Sequence, residues 1–217
     1  MDAPAATRLL IARHGETVDN AAERWQGWQD SPLTPRGIAQ AEALGRRLAA
    51  EPLVAAYSSD LGRAVATARL ALSGHRLELQ QTVALRERDV GAFSGLSGRE
   101  VQQRYAEALA RRHSDHILDW APPRGESFRQ MLSRILPFVD QIGAEWPGGS
   151  VLLVTHGGVI RLLAAYALGR DWAHIYERHP SNGGLSACRW SDGSLTLLLF
   201  DETAFMDGAS VPPLSER

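Results

Sequence analysis

Two apolar runs in the sequence end in the same way, with a histidine followed by glycine. The first is LLIARHG, which ends at His14 and Gly15, and the second is VLLVTHGG, which ends at His156 and two glycines. Ligands bind beyond the carboxyl ends of parallel strands in open α/β sheets, so both histidines are expected to face one crevice. Glycine lacks a Cβ, which allows a ligand or a neighbouring chain to approach closely. Each histidine alone is equally compatible with a structural role, but two at equivalent strand ends indicate a functional site.

Two arginines accompany these histidines. Arg13 directly precedes His14, and Arg63 follows the apolar run LVAAYSS in the segment SSDLGRAVATA. A guanidinium group stays charged and presents a fork of donors that matches phosphoryl oxygens. On its own, Arg63 is equally compatible with a solvated helix face. Together, the two arginines and two histidines predict a pocket for a phosphate ester.

The segments that must position these side chains alternate between strand and helix. The expected order is a strand at 8–12, a helix from a Thr34 cap with Pro35 at its first position to Pro52, a strand at 53–59, a helix from an Asp60 cap to just before Gly74, and a strand around 76–80. This β, α, β alternation is typical of a parallel sheet covered by helices.

The later part of the chain continues the alternation after a less periodic stretch. The expected elements are a helix at 98–113, a proline-containing loop at 119–125, a helix at 126–146 with a kink at Pro137, a strand in the segment 150–158, a helix at 159–168 and a hairpin of 184–190 with 194–200. The run VLLV is apolar on both faces, as in a central parallel strand. We therefore expect an α/β fold, a three-layer α/β/α sandwich with a mainly parallel central sheet, in a single domain over 1–217 with a small helical cap or specificity insertion at about 88–124.

The composition excludes several classes of function. The formal net charge is -2, and all 23 basic residues counted as Lys+Arg are arginine. A Walker P-loop and a pyridoxal enzyme both need a lysine, so neither mechanism is available to this chain. The nearly neutral balance also gives no indication of a nucleic-acid partner.

Cysteine, histidine and hydropathy narrow the prediction further. Cys188 is the only cysteine, so neither an intrachain disulfide nor a thiolate cluster is expected. No apolar run approaches the ~18 residues of a membrane span, and we expect a cytoplasmic protein without a membrane partner. His113 with His116, and His174 with His179, lie close in sequence, but neither pair has a convincing third ligand, so no metal site is predicted.

Five ordered motifs resemble those of the histidine phosphatase superfamily, also called phosphoglycerate mutase-like. The chain carries its Arg-His-Gly-x-Thr motif as RHGET at 13–17, and SSDLGRAVATA is similar to its second block. The acidic residue after its Leu-x-Glu pattern matches Glu87 in LRERDVGAFSG, its Gly-Glu-Ser element matches 125–127, and its late His-Gly pair matches His156 and Gly157. The resemblance covers most of the chain.

The resemblance implies a phosphatase that works without a metal or a cofactor. His14 would attack phosphorus and become a phosphohistidine, while Arg13, Arg63 and His156 stabilise charge on the phosphoryl oxygens. Arg13 would also disfavour protonation of the His14 ring. Glu87 would protonate the departing alcohol and then take a proton from the water that cleaves the phosphohistidine. Without the resemblance, Glu87 is only one member of the charge run RER.

The resemblance also implies a set of residues that bind the substrate. They are Arg13, Asn20, Gln26, Arg63, His156, Gly157 and Asn182. Asn20 is also compatible with loop capping, and Asn182 with an ordinary turn in SNGG. Trp25, Trp28 and Trp120 lie in predicted loops, where they would either wall an apolar pocket or anchor the core.

Three functions remain open at this point. The first is hydrolysis of a small phosphorylated metabolite. The second is a cofactor-dependent phosphoglycerate mutase: the long insertion of the family's mutases is not matched here, whereas Arg111 and Arg112 resemble the arginine pair with which a mutase binds a carboxylate. The third is a non-catalytic binding module on the same fold, which would usually have lost one of the core residues present here. A homodimer is an expected assembly.

Overall fold

A central sheet organises the molecule. The computed structural model describes residues 5–114, 116–208 and 211–212, with the side chains of His113 and Ser114 outside the description. The described residues form strands β1 (Thr7–Arg13), β2 (Leu53–Ser59), β3 (Leu79–Thr82), β4 (Ser150–Thr155), β5 (Leu185–Ser191) and β6 (Ser194–Glu202). They lie in the order β3-β2-β4-β1-β5-β6.

The parallel half of the sheet contains the two strands that precede the histidines. β3, β2, β4 and β1 pair in parallel, whereas β5 runs antiparallel to both of its neighbours. In the register of β1 and β4, Arg13 lies beside Thr155. His14 and His156 therefore leave the sheet at the same edge, as the sequence predicts.

Helices cover both faces of the sheet. They are α1 (Val18–Ala21), α2 (Pro35–Leu48), α3 (Gly62–Ala71), α4 (Gly98–Arg104), α5 (Ala106–Ser114), α6 (Phe128–Glu145) and α7 (Gly157–Ala167). Alternate residues of β1 separate the two cores: Leu10 packs with α2 and α3, and Leu9 packs with α6 and α7. Every residue of β4 is buried. The predicted three-layer α/β/α sandwich with a mainly parallel sheet is confirmed.

The region between β3 and α6 forms a third, smaller apolar cluster. It consists of Val90, Phe93, Val101 and Trp120, with Trp25 from the loop after α1 packed against it. Trp120 is thus a core anchor, with its indole Nε1 donating to the Ala108 carbonyl at 2.9 Å. No helix of the described residues has the length and hydropathy to cross a membrane.

Several predicted element boundaries are wrong. The helix expected at 98–113 breaks at Tyr105, whose φ of -133° is not helical, into α4 and α5. The strand expected around 76–80 forms instead at Leu79–Thr82, where it pairs with β2. The helix expected from 126 begins at Phe128, because Ser127 caps it in a reciprocal bond pair with Gln130.

The helix cap predicted at Asp60 is also wrong. The N-cap of α3 is Leu61, which makes no side-chain capping bond. The Asp60 carboxylate is occupied by Arg86, which donates to both of its oxygens. The N-terminus of α3 is capped by Asp30, which accepts from the Gly62 amide at 2.6 Å and the Arg63 amide at 3.2 Å.

Candidate active site

The end of β1 holds His14 in a defined ring orientation. The His14 side chain is buried, and its Nδ1 lies 2.8 Å from the carbonyl oxygen of Gly15. A carbonyl only accepts, so Nδ1 carries the proton and Nε2 has a free lone pair. Burial, with Arg13 and Arg63 nearby, holds the pKa of His14 well below its usual value. The ring is therefore neutral at physiological pH, with Nε2 available as a nucleophile.

The turn after His14 depends on a close approach between two backbones. A Cβ on Gly15 would overlap the backbone of Gly37 in α2. The Gly15 amide donates to the Thr67 hydroxyl at 3.0 Å, and Thr67 in turn bonds the Arg63 carbonyl at 2.8 Å. The backbone after His14 is thus bonded directly to the helix that carries Arg63.

His156 lies against His14. It is the N-cap residue of α7, is completely buried, and its ring centroid lies 5.1 Å from that of His14 at an interplanar angle of 60°. Burial is the main cause, and the charge of Arg63 the second, that lowers the pKa of His156 well below its usual value. Within the described part of the chain neither ring nitrogen has a hydrogen-bond partner. In the neutral ring one of these nitrogens carries a proton, and it is free to donate to a ligand oxygen.

The side chain of Arg13 is bound by the loop after α7. Its Nη1 donates to the carbonyl of Pro180 at 2.7 Å, while its buried Nε has no partner among the described residues. Burial lowers the pKa of Arg13 to about 10, and Glu87 opposes this effect. The guanidinium stays charged at neutral pH, with a donor left for an anion.

Arg63 is held almost entirely by backbone carbonyls. Nη1 donates to Gln29 at 2.8 Å and Nη2 to Gly27 at 2.7 Å, and the Asp30 carboxylate lies 3.4 Å from Nη1. Its buried Nε has no partner in the described residues. These contacts fix the plane of the guanidinium, which is the arrangement expected for a preorganised hydrogen-bond donor to phosphoryl oxygens.

Glu87 is brought to the N-terminus of α7. Its Oε2 accepts from the Gly158 amide at 3.1 Å, and its Oε1 accepts from the Arg88 amide at 2.7 Å. A Cβ at Gly158 would overlap Oε1 of Glu87, so the glycine is needed for this contact. The Glu87 carbonyl is bound by Trp28 at 2.8 Å and by Arg134 at 3.0 Å. Hydrogen bonds thus hold both the carboxylate oxygens and the backbone carbonyl of Glu87.

The Gly-Glu-Ser element at 125–127 stabilises the position of Glu87 through Arg134. Arg134 forms a fork with the Glu126 carboxylate, at 2.9 Å to each oxygen, and also donates to the Ala84 carbonyl. Ser127 caps α6. Glu126 therefore orients the arginine that binds the Glu87 backbone.

The predicted substrate-binding residues fall into two groups. Asn20 and Gln26 line the same cavity as His14, and the buried Oε1 of Gln26 has no partner among the described residues. Asn182 lies behind them, because its amide donates to the His14 carbonyl and to Asn20 Oδ1, both at 3.1 Å. Asn182, His156 and Gly157 lie outside the described lining of this cavity, although the His156 ring lies against that of His14. A Cβ at Gly157 would meet Arg13 at 3.5 Å.

The site opens into a cavity of about 440 Å³. The sequence analysis did not assign several of the lining residues to a substrate site: Glu23, Arg24, Gly27, Arg88, Val90, Phe128, Gly158, Arg161, Tyr176 and His179. Most of these come from segments distant in sequence, so no local pattern marks them. Trp25 and Trp120 also line the cavity, whereas Trp28 stacks under Arg86 at 4.9 Å.

The two histidine pairs considered as metal ligands have other surroundings. His174 bonds Asp171 at 2.7 Å, and His116 lies 3.6 Å from Asp119. The side chain of His113 lies outside the described residues. Within the described part of the chain no group of three or more His, Cys, Asp or Glu side chains could hold a metal ion.

The fold and this cluster define a class: α/β enzymes that act on a phosphoryl group with a neutral histidine and arginines at the carboxyl edge of a parallel sheet. The chain belongs to the histidine phosphatase superfamily (branch 1), whose family model matches residues 9–203.

Named relatives include both phosphatases and mutases. A metal-independent phosphoserine phosphatase from Arabidopsis thaliana is 40% identical over 159 residues, 72% of this chain and 67% of that protein. A 2,3-bisphosphoglycerate-dependent phosphoglycerate mutase from Bradyrhizobium diazoefficiens is 35% identical over 168 residues, 71% of this chain and 78% of that protein. The solved structure of Bacillus stearothermophilus YhfR matches with a TM-score of 0.86 at 33% identity, over 93% of this chain and 100% of that chain.

Proposed function

We propose that the protein is a metal-independent phosphatase that hydrolyses small phosphomonoesters through a phosphohistidine at His14. The observation that carries this proposal is the neutral, buried His14 ring, with Nδ1 bound to Gly15 and with the unpartnered Nε donors of Arg13 and Arg63 beside it. A cavity of about 440 Å³ suits a small metabolite.

In the first step His14 Nε2 attacks phosphorus, and the bond between phosphorus and the ester oxygen breaks. Arg13, Arg63 and His156 bind the three phosphoryl oxygens and stabilise charge in the loose transition state. Glu87 donates its proton to the departing alkoxide, so an alcohol leaves.

In the second step Glu87, now a carboxylate, takes a proton from water, and the oxygen of that water attacks the phosphohistidine. The bond between nitrogen and phosphorus breaks, and its electron pair returns to Nε2. The backbone amides of Gly158 and Arg88 stabilise the Glu87 carboxylate in this state. The products are an alcohol and inorganic phosphate, with His14 and Glu87 restored.

The proposal also covers the cap, the substrate-binding residues, the location and the assembly of the protein. Residues 88–124 act as a specificity cap on a single domain, since Arg88, Val90, Arg112 and Trp120 all line the cavity. Asn20 and Gln26 bind the substrate directly, and Asn182 and Gly157 hold the residues that do. A cytoplasmic location, a homodimer and the lack of a nucleic-acid partner are checked by fractionation, light scattering and nucleic-acid titration.

A phosphoglycerate mutase is the second candidate, and one observation favours it. Arg112, which resembles one of the arginines that a mutase uses, does line the cavity. The mutase reaction is tested directly by converting 3-phosphoglycerate in the presence of catalytic 2,3-bisphosphoglycerate. Release of inorganic phosphate without 2-phosphoglycerate identifies the phosphatase.

The proposed function is tested by hydrolysis of p-nitrophenyl phosphate and a panel of phosphorylated sugars, phosphoglycerates and nucleotides in EDTA. We expect hydrolysis that is unchanged by the chelator, because arginines supply the charge that a metal supplies in other phosphatases. His14→Ala should abolish turnover while circular dichroism stays native. Loss of activity in EDTA with recovery on adding a divalent ion contradicts the proposal, and so does a complete lack of hydrolysis, which would favour a binding module.

A further inference from the structure

Strand β6 contains a strained residue near its C-terminal end. In the part of the chain that the structure describes, Asp201 is the only non-glycine residue inside a strand with a positive φ, which is 56°. A residue with a Cβ adopts this left-handed conformation at a cost in free energy, and such strain is concentrated at functional sites where surrounding contacts enforce it. The contacts of Asp201 show what enforces it here.

A β-bulge sets the direction of the Asp201 side chain. Phe200 and Asp201 together oppose the single residue Ser186 of β5. The Asp201 amide donates to the Ser186 hydroxyl at 3.1 Å. Bulges bend a strand and re-aim a side chain, and they are common beside active sites. In this structure the bulge brings the Asp201 carboxylate to the loop that precedes β5.

Both oxygens of that carboxylate bind one residue of the loop. Oδ1 accepts from the Ser181 amide at 2.7 Å, and Oδ2 accepts from the Ser181 hydroxyl at 2.8 Å. A Cβ at Gly184 would overlap Oδ1, so this glycine leaves the space in which the carboxylate lies. Hydrogen bonds to a charged acceptor are stronger than those between neutral groups. Asp201 therefore fixes the segment 180–184, which we call the 180–184 loop.

The 180–184 loop in turn binds the end of β1. Its Pro180 carbonyl accepts from Arg13 Nη1 at 2.7 Å, and its Gly184 carbonyl accepts from the Arg13 amide at 3.1 Å. Its Gly183 amide lies 3.1 Å from the carbonyl oxygens of both Arg13 and His14. The loop thus sets the direction of the Arg13 guanidinium and holds the backbone that carries His14.

Charge gives a second link between Asp201 and Arg13. Burial lowers the pKa of Arg13, and the Asp201 carboxylate is one of the charges that oppose this effect. Asp201 lies outside the described lining of the cavity around His14. It therefore acts on a ligand in that cavity only through the residues that it holds.

We propose that Asp201 is a positioning residue for Arg13: it holds the 180–184 loop, and the loop holds the guanidinium in the direction that binds the phosphoryl group. This inference rests on the proposed function, in which Arg13 binds a phosphoryl oxygen. The left-handed conformation of Asp201 is retained because its carboxylate is needed at Ser181. A glycine would adopt the same backbone conformation without strain but would leave the loop unbound.

Asp201→Gly separates positioning from folding. Glycine relieves the backbone strain, which offsets part of the stability lost with the two hydrogen bonds, so urea unfolding should change little. With p-nitrophenyl phosphate, kcat/KM should fall by roughly 10- to 100-fold, because a charge-stabilising group is misplaced. The Kd of inorganic phosphate, measured by calorimetry, should rise by about 10-fold.

Asp201→Asn is the conservative variant. Asparagine tolerates the same φ and keeps an acceptor for the Ser181 amide, so it should retain part of both the activity and the phosphate affinity. If Asp201→Gly unfolds, Asp201→Asn gives the same comparison, and full activity together with full phosphate affinity in it overturns the proposal.

Asp192→Gly is the matched control. Asp192 also has a positive φ, 48°, but it lies in the turn between β5 and β6, at the other end of the hairpin. Its replacement should leave kcat/KM and the Kd of phosphate unchanged.

A double-variant cycle identifies the residue through which Asp201 acts. In the Arg13→Ala background, Asp201→Gly should change kcat/KM and the Kd of phosphate by less than about twofold, because the group that it positions is already absent. Unchanged values in Asp201→Gly, equal losses in Asp192→Gly, or the full effect of Asp201→Gly in Arg13→Ala would each overturn the positioning role and leave the phosphatase standing.

Phosphate binding keeps the two proposals separate. A wild type that binds phosphate but hydrolyses no ester, including p-nitrophenyl phosphate, refutes the proposed function, and the calorimetric cycle then decides the role of Asp201 by the same criteria. A wild type that neither binds phosphate nor hydrolyses an ester overturns both.

Discussion

The reactivity proposed for His14 depends on which ring nitrogen carries its proton. The bond from Nδ1 to the Gly15 carbonyl fixes this tautomer, and burial among two arginines keeps the ring neutral. The same arginines that suppress protonation are those proposed to bind the phosphoryl oxygens. One arrangement therefore supports both nucleophilicity and charge stabilisation.

Glu87→Gln tests the proton transfer separately from the nucleophile. A poor leaving group such as a sugar alkoxide needs a proton as it departs, whereas p-nitrophenolate leaves as an anion. General acid catalysis is typically worth ~10² to 10⁴ in rate, so formation of the phosphoenzyme from alkyl phosphates should slow by about that factor. With p-nitrophenyl phosphate, stopped flow should show a burst of nitrophenol followed by slow turnover. Turnover is slow because the variant lacks the carboxylate that takes a proton from the attacking water.

Glu23→Gln is the control for this variant, since Glu23 is an exposed carboxylate at the same cavity. It should leave both phases unchanged. Equal slowing of phosphoenzyme formation with both leaving groups in Glu87→Gln would mean that Glu87 acts through pocket shape or charge. Glu126 and Glu16 are less suitable as the acid, because Glu126 is bound by Arg134, and Glu16 by Thr34 and Arg36.

At the scale of elements, the site is assembled from the ends of strands and helices, some set by local sequence and one by a distant residue. Both histidines follow β-strands of the parallel part of the sheet, and this placement was predictable from the apolar runs. The orientation of α3 was not, because its cap comes from Asp30, a loop residue distant in sequence. Sequence periodicity reports which residues form a helix, but a capping carboxylate from another segment leaves no periodic signal.

Asp30→Ala tests this assignment. Loss of a capping side chain typically costs about 1 kcal/mol, so the free energy of unfolding measured in urea should fall by about that amount. Arg63 also loses the carboxylate that lies 3.4 Å from its Nη1. We therefore expect a lower kcat as well.

Asp60→Ala is the comparison for Asp30→Ala, because Asp60 pairs with Arg86 and leaves the α3 cap intact. It should disturb the segment around Arg86 that leads to Glu87, while retaining the amide protection of the first turn of α3 in hydrogen exchange. Loss of that protection in Asp60→Ala, with retention in Asp30→Ala, would contradict the structure.

At the scale of the whole molecule, the two histidines of the site are buried within the fold, and this burial makes the stability of the protein depend on pH. His14 and His156 are neutral in the folded state because burial lowers the pKa of both well below 6.5. In the unfolded chain both titrate near ~6.5. Below that pH the unfolded state takes up protons that the folded state does not, so the free energy of unfolding falls as the pH decreases.

The expected loss is about 1.4 kcal/mol for each of these histidines between pH 7.5 and 5.5. It is measured by comparing urea unfolding of the wild type with that of the His14→Asn, His156→Asn double variant at both pH values. The double variant should lose less stability over this interval. Parallel losses in the two proteins would show that these rings are protonated in the folded state.

The sequence predicted the layers of the fold and the grouping of the proposed catalytic residues better than it predicted the walls of the cavity. Arg13, His14, Arg63, Glu87 and His156 occur in ordered local motifs, and the structure brings them to one edge of the sheet. Arg161 and Tyr176 were missed, and His179 was considered only as a metal ligand, because their place in the cavity depends on how α7 and the following loop pack against the segment between β3 and α6. The lining of the cavity depends on such long-range contacts, which a local pattern does not encode.

Rapid-quench mass spectrometry tests the central claim most directly. The wild type is mixed with p-nitrophenyl phosphate, quenched at alkaline pH, where phosphohistidine survives, and digested. We predict a phosphoryl group on the peptide that contains His14, localised to that residue, and no label in His14→Ala. A phosphoryl group on His156, on a serine or on an aspartate would contradict the proposed mechanism.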